Sequence, residues 1–236
     1  MPVSVVLPCY NEEGVIEEVI RACYGEIIAK IDDSELIVVD DRSTDNTPAI
    51  LTRLMNEFPE LRIVKPDVNS GHGKAVRLGY EIADKNWIFQ IDSDDQFEIK
   101  DFWKLYELKN DYNFILGNRK DRQDTYHRIM LSKLISFVDQ VIFGVKLYDA
   151  NCPFRLINNK VHKELIAEID KEALAPNIMI AILAKKREIK IKEVPVMHRK
   201  RKTGKVSIVN WKLICFCFRG LKQLFEFRKN LGRIKN

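Results

Sequence analysis

The chain has 236 residues, 46% hydrophobic and 31% charged, with a formal net charge of +5. That length and balance describe a soluble globular protein with enough apolar material for a substantial core. Its five cysteines (Cys9, Cys23, Cys152, Cys215 and Cys217) form no C-x-x-C pair and no zinc-ligand spacing, which excludes a zinc module and, with no signal peptide, points to a reduced cytosolic setting.

In chain order, Val3 to Leu7 is an apolar run suited to a strand, and Glu12 to Ala29 is a predicted helix with Val15, Ile16, Val19, Ile20 and Cys23 on one face. Leu36 to Val39 is the second strand, ended by Asp40-Asp41. Ser43 to Pro48 supplies capping residues and an early proline for a helix that runs to about Phe58. Leu61 to Val64, a glycine-bearing turn, Lys74 to Ala83 and Trp87 to Ile91 complete strand three, helix three and strand four. The alternation predicts an α/β fold with a mostly parallel sheet flanked by helices, whose ligands sit at the carboxyl ends of the strands.

From Phe114 the pattern loosens: a short strand to Leu116, a polar turn, a long helix from about Tyr126 to Phe143, a segment Asp149 to Leu156, a helix over Ala173 to Lys186 and a late strand over Ile189 to Met197. The expected organisation is one catalytic domain over residues 1–206 and a basic amphipathic tail over 207–236. From Lys185 onward there are 17 Lys/Arg against three Asp/Glu, whereas residues 1–184 hold 22 against 31. A tail of that charge suggests an anionic surface. In it Trp211, Ile214, Cys215, Phe218, Leu221, Leu224 and Phe225 recur at helical spacing between Lys212, Arg219, Lys222 and Arg228, which suits a helix lying on a membrane better than one stacking on nucleic acid bases. A helix packed on the body or on another subunit is the competing reading. The longest charge-free apolar piece there, Leu213 to Phe218, is far short of the ~20 residues that span a bilayer.

The most informative segment is Gln90 to Gln96. In a strand, side chains two apart share a face, so Asp92 and Asp94 can reach one hard cation, although Asp-rich turns are also common after strands. Convergence strengthens the reading. Pro8 to Glu12 follows strand one, Asp40-Asp41 strand two and Asn69 to Lys74 strand three. The Asn69 to Lys74 turn lacks both the P-loop ending and the third glycine of G-x-G-x-x-G, yet its free N–H groups and Lys74 suit a phosphate. Asp41 is placed to accept from a base or ribose. Glu12 is either a donor ligand or a first-turn carboxylate favoured by the helix dipole. The cationic run His198 to Lys205 supplies a guanidinium for a departing diphosphate, and Arg119, Arg122 and Arg128 with Ser132 form a second set suited to an acceptor anion.

Together Leu7 to Glu12, Val39 to Thr47, Asn69 to Ala75 and Asp92 to Gln96 make the chain resemble the family 2 glycosyltransferases of GT-A fold, over residues 2 to about 210. Its nearest branch resembles the dolichyl-phosphate mannose synthases and bacterial polyprenyl-phosphate glycosyltransferases. The resemblance implies a nucleotide-sugar donor cradled by Pro8, Tyr10, Glu12 and Asp41, with Mg or Mn held by Asp92, Asp94 and Gln96. It also implies an acceptor phosphate gripped by Arg119, Arg128 and Ser132, with Asp149 and Arg155 in the same acceptor-binding set. Asp149 to Arg155 resembles the branch's Asp…Gly-Phe-Arg block, and His198, Arg201 and Gly204 its H-x-x-R-x-x-G signature. Pro153 stands where Gly is usual, Val206 where Ser is frequent, and Asn177 where many relatives place an acidic residue.

The expected reaction is transfer of a hexosyl group from a UDP- or GDP-sugar to a polyprenyl phosphate with inversion, Asp94 and Arg201 being catalytic. Beyond these motifs, Asp170 and Glu172 are the nearest carboxylates to serve as a base, which a phosphate acceptor does not need. The alternatives are transfer to a sugar hydroxyl in a cell-surface polysaccharide and, in another class, a metal-dependent nucleotidyltransferase. The expected location is the cytoplasmic face of a membrane, with a membrane-protein partner or a second copy of the chain as further options and no nucleic acid.

Overall fold

A computed structural model describes residues 1–120, 140–200 and 211–233. Its strands are β1 (Val3–Cys9), β2 (Glu35–Asp40), β3 (Leu61–Val64), β4 (Trp87–Gln90), β5 (Phe114–Lys120), β6 (Arg155–Asn158) and β7 (Ile191–Met197). The helices are α1 (Ile16–Glu26), α2 (Thr47–Glu57), α3 (His72–Ile82), α4 (Phe102–Tyr106), α5 (Asn159–Ile166), α6 (Pro176–Lys186) and α7 (Trp211–Arg233), with short 3-10 turns at Ile28–Lys30 and Ile99–Asp101. Arg122, Arg128, Ser132, Arg201 and Gly204, with most of the predicted helix from Tyr126, lie outside the described residues.

The strands form one seven-stranded sheet in the order β3-β2-β1-β4-β6-β5-β7. Only β6 runs antiparallel to its neighbours, β4 and β5. All other pairs are parallel. Every residue of β1 and β2 is buried, as expected of strands covered on both faces. From β1 the chain moves outward through α1 and α2 to β3, then returns through α3 to β4 on the other side of β1. Right-handed crossovers put α1 and α2 on one face and α3 on the other, and open a crevice at the carboxyl ends of β1 and β4 where the strand order reverses.

Helices α1, α2 and α3 form without a side-chain bond from their N-cap residues Val15, Asn46 and Gly71, so the expected capping by side chains is met only in part. Asp45 Oδ1 accepts the Thr47 N–H at 3.0 Å at the start of α2, and Pro48 sits in its first turn, where a missing N–H costs nothing. The elements missing from the sequence reading are α4 and β6 with the helix α5 that follows it, and β5 runs on to Lys120 where the sequence predicts a polar turn from Gly117. The first residue of β6, Arg155, is only 1% exposed, so the strand carries a charge at the centre of the sheet and does not read as apolar. The segment expected as Asp149 to Leu156 is instead a loop that ends in this strand.

Helix α7 packs on the body. Leu224 and Phe227 are buried, the Phe227 ring lies 6.0 Å from that of Phe143, and Gln223 bonds both Leu174 N and Glu172 O at 2.9 Å. Phe218 and Phe225 stay outside at 68% and 51% exposure. Among the described side chains of the tail, the apolar residues are thus divided between the body and the surface. Among the described residues no helix is long and apolar enough to cross a membrane.

Candidate functional site

The loops that leave β1, β2, β3 and β4 meet at one end of the sheet, stitched to one another by side chains. Asn11 N donates to Ser43 Oγ at 2.9 Å, Thr44 N donates to Asn11 Oδ1 at 2.7 Å, and Glu12 N donates to Thr47 Oγ1 at 2.9 Å. Ser93 Oγ donates to the Pro8 carbonyl at 2.9 Å, tying the fourth loop to the first. Asn11, Arg42 and Asp95 hold left-handed backbone at φ 55°, 64° and 54°. Three non-glycine residues in that region, one in each of three adjoining loops, are a cost the surrounding bonds must offset, and such strain concentrates at sites.

The third loop closes on Asp41. Its Oδ1 accepts from Ser70 N and Ser70 Oγ at 2.7 and 2.8 Å, its Oδ2 from Gly71 N at 2.7 Å, and its carbonyl from Asn69 Nδ2 at 2.7 Å. Gly71 takes φ +84° to enter α3, a conformation only glycine adopts without strain. A Cβ on Gly73 would stand 2.5 Å from the Leu174 carbonyl oxygen, so the first turn of α3 lies directly on the segment that α7 holds.

Around this floor is a cleft of about 380 Å³ lined by Pro8, Cys9, Tyr10, Glu12, Asp41, Asn69, Gly71, His72, Ala75, Asp92, Ser93 and Asp94. Two larger hollows occur elsewhere, about 560 Å³ between α6, α7 and residues 141–144 and about 590 Å³ beside Asp33 and Glu60, but neither holds strand-end chemistry. The cleft brings together Pro8, Tyr10, Glu12, Asp41, Asp92 and Asp94, six of the residues picked from sequence. Among the described residues its lining has four carboxylates and no Lys or Arg. Four carboxylates repel a diphosphate that comes without a counter-charge, and their oxygen donors suit a hard divalent ion. Asp92 is part-exposed, with Gln90 Nε2 donating to its Oδ1 at 3.3 Å. Among the described residues no three His, Cys, Asp or Glu side chains converge into a closed cage. Cys9 is no nucleophile: burial, then the charges of Asp40 and Glu12, raise its thiol far above its ordinary range.

Other expected residues stand elsewhere. Gln96 turns its Nε2 to the Arg199 carbonyl at 3.0 Å, and Arg199 N donates to the Gln96 carbonyl at 2.7 Å. With the Phe97–His198 bridge, these bonds fasten the loop after Asp94 to the start of the cationic run. Lys74 points away from the cleft and pairs with Glu172 at 2.6 Å, so the basic group expected beside the phosphates is engaged on the surface. Asp170 accepts the Glu172 N–H at 2.8 Å, and neither residue lines the cleft. Arg119 meets Asp149 in a two-bond fork of 2.6 and 2.8 Å, with side-chain exposures of 11% and 5%. Arg155 leaves the acceptor set altogether. It is buried, and its guanidinium donates to the carbonyls of Ala150, Cys152 and Asn177.

His72 opens α3 with its Nε2 3.8 Å from Asp92 Oδ1 and, among the described residues that line the cleft, is the one side chain able to carry positive charge. In the sequence His72 stands between two glycines, Gly71 and Gly73, at the start of the helix that follows β3.

The family model described as Glycosyl transferase family 2 matches residues 4–166. Undecaprenyl-phosphate 4-deoxy-4-formamido-L-arabinose transferase of Edwardsiella ictaluri is 28% identical over 211 residues, covering 88% of this chain and 65% of that protein. Dolichyl-phosphate beta-glucosyltransferase of Dictyostelium discoideum is 27% identical over 214 residues, covering 82% of this chain and 65% of that protein. The chain thus spans just under two thirds of the length of these relatives. Glucosyl-3-phosphoglycerate synthase from Mycobacterium tuberculosis, solved with Mn²⁺, UDP and phosphoglyceric acid, superposes with a TM-score of 0.70 at 18% identity over 96% of this chain and 78% of that one. That likeness is one of fold.

Proposed function

The chain belongs to glycosyl transferase family 2, and from that premise we propose that it moves a hexosyl group from a UDP- or GDP-sugar to a polyprenyl phosphate, with inversion and with Mg²⁺ or Mn²⁺. The observation that carries the proposal is Asp92 and Asp94 just beyond the end of β4, lining one cleft with Glu12 and Asp41. Pro8, Tyr10, Glu12 and Asp41 hold the nucleoside. Asp92 and Asp94 hold the cation, with Gln96 offering its remaining amide oxygen. The ion, when bound, offsets the charge that grows on the departing diphosphate. Arg201, four residues beyond the β7 end, supplies the protein's own cation to that diphosphate.

The acceptor follows from chemistry and from the relatives' names, which are those of transferases acting on undecaprenyl and dolichyl phosphate. A phosphate monoester, with a second pKa of ~6, is mostly dianionic at neutral pH and attacks without a protein base. Asp170 and Glu172 stand outside the cleft, which agrees with such an acceptor. Arg128 and Ser132 grip that phosphate, and the Arg119–Asp149 fork braces the strand end beneath it.

The outer side of α7 lies on the membrane that carries such an acceptor. Phe218 and Phe225 are exposed beside Arg219, Lys222 and Lys229, an apolar and cationic face suited to anionic headgroups on the cytoplasmic side. The test is purified protein with Mn²⁺, a panel of UDP- and GDP-sugars and polyprenyl phosphate. Release of nucleoside diphosphate that requires the polyprenyl phosphate, with an acid-labile lipid product, is expected. Transfer only to sugar hydroxyls, or pyrophosphate release from a nucleoside triphosphate, rules the proposal out.

A further inference from the structure

Beneath Asp92 runs a chain of buried amides and a phenol that the proposed reaction does not use. Gln90, the last residue of β4, is fully buried and donates its Nε2 to Asp92 Oδ1 at 3.3 Å. Its Oε1 accepts from Asn177 Nδ2 and from the Tyr80 hydroxyl, each at 2.8 Å. The same hydroxyl stands 2.8 Å from Asn177 Oδ1. Asn177, 4% exposed in the first turn of α6, is held in turn by Arg155, whose Nη1 donates to its carbonyl at 3.0 Å. Four separate elements, α3, β4, β6 and α6, therefore meet at one amide.

This chain of bonds has a direction. An amide presents an acceptor at one corner and donors at the other. With two donors on Gln90 Oε1, only the NH₂ group remains for Asp92. Turned over, Gln90 would set oxygen against carboxylate oxygen and N–H against N–H, and in a buried place both mismatches are costly.

We propose that Asn177 and Tyr80 are positioning residues that lock the Gln90 amide and so hold the Asp92 carboxylate in the orientation that receives the cation. The inference rests on Asp92 being a cation ligand. Groups that orient a ligand from behind tune metal affinity without touching the ion. In this chain, where many relatives place an acidic residue, the amide at 177 sets the polarity by donating to Gln90 Oε1. Asn177→Asp keeps the volume but removes the N–H that Gln90 Oε1 accepts, so Gln90 turns to donate to the new carboxylate and presents its oxygen to Asp92.

The test titrates Mn²⁺ into the full chain by calorimetry, with UDP or GDP saturating, whichever gives the larger binding heat, and records the thermal midpoint of each variant. Asn177→Asp is expected to raise the Mn²⁺ dissociation constant roughly 10- to 100-fold, and Tyr80→Phe, which keeps the Asn177–Gln90 bond, roughly 2- to 5-fold. Should Asn177→Asp fail to fold, Asn177→Ala removes the same bonds without adding charge and is expected to raise the constant several-fold. A lower thermal midpoint with unchanged Mn²⁺ affinity marks Asn177 as merely structural and overturns the proposal. Asp92→Ala separates the two layers of the argument. If it binds Mn²⁺ as the unaltered chain does, the ligand assignment itself fails; if it loses the ion while the Asn177 variants do not, only the positioning role fails.

Discussion

The two halves of the sheet handle charge in opposite ways. Beyond the ends of β1 to β4, Glu12, Asp41, Asp92 and Asp94 stand in loops and open into a cleft. In β5 to β7 charges are drawn inside: Arg155 is buried against three carbonyls and Arg119 against Asp149. In the proposed function the first half offers its charges to a ligand. The second uses them to hold an antiparallel strand within an otherwise parallel sheet. Similar residue types near strand ends thus serve binding in one place and folding in another, and what separates them is whether a carbonyl or a carboxylate already occupies the group.

Substitutions on each side test that division. Asp94→Ala is expected to lower kcat by at least about 100-fold with the thermal midpoint unchanged, since charge stabilisation at a leaving group is worth that much and the loop carries little of the core. Arg155→Met should instead leave three carbonyls unpaired and cost roughly 3 kcal/mol in urea unfolding. A stable Arg155→Met protein with a raised acceptor KM would place the second half among the ligand-binding surfaces after all.

His162 shows the interior of the second half through pH. It packs 4.3 Å from the Tyr80 ring with neither ring nitrogen hydrogen-bonded, and burial, then the Arg155 and Arg77 charges, lower its pKa to about 3. Because the folded pKa lies below the unfolded value of ~6.5, its contribution is intact above pH 6.5 and is lost as pH falls toward 3. The loss approaches ~1.4 kcal/mol per pH unit, or about 2 kcal/mol at pH 5. His162→Phe should remove that slope and leave stability at pH 7 equal or higher, as compared by urea melts at both pH values. An unchanged slope would place the titrating group elsewhere.

Two smaller effects concern the surface. Replacing Phe218 and Phe225 together by Ser should weaken partitioning to anionic vesicles by roughly tenfold while leaving the midpoint unchanged, since neither side chain is buried. Vesicle flotation reads the outcome, and a chain that never floats removes the membrane from the account. Lys74→Ala should alter turnover less than about twofold, because its exposed pair with Glu172 is worth little. A large loss would return Lys74 to the phosphates.

What could be read from sequence follows the same division. Strands β1 to β4 and their helices follow from apolar runs and caps, and the cleft follows from the rule that parallel strands bind at their carboxyl ends. Strand β6 was missed because pattern reading treats an arginine as a surface residue, and only the carbonyls of Ala150, Cys152 and Asn177 make its burial tolerable. The roles of Gln90, Tyr80 and Asn177 were hidden for a related reason. They lie far apart in the chain, and the bonds that join them exist only after α3, β4 and α6 have packed.

The decisive measurement is calorimetric binding of UDP and GDP with and without Mn²⁺, on the unaltered chain and on Asp92→Ala. Four strand-end loops gathered about one cation-bridged nucleotide require tight binding that appears only with Mn²⁺ and is lost in the variant. Equal affinity without the ion, or in Asp92→Ala, would mean that the acidic cleft is not where the donor diphosphate is held.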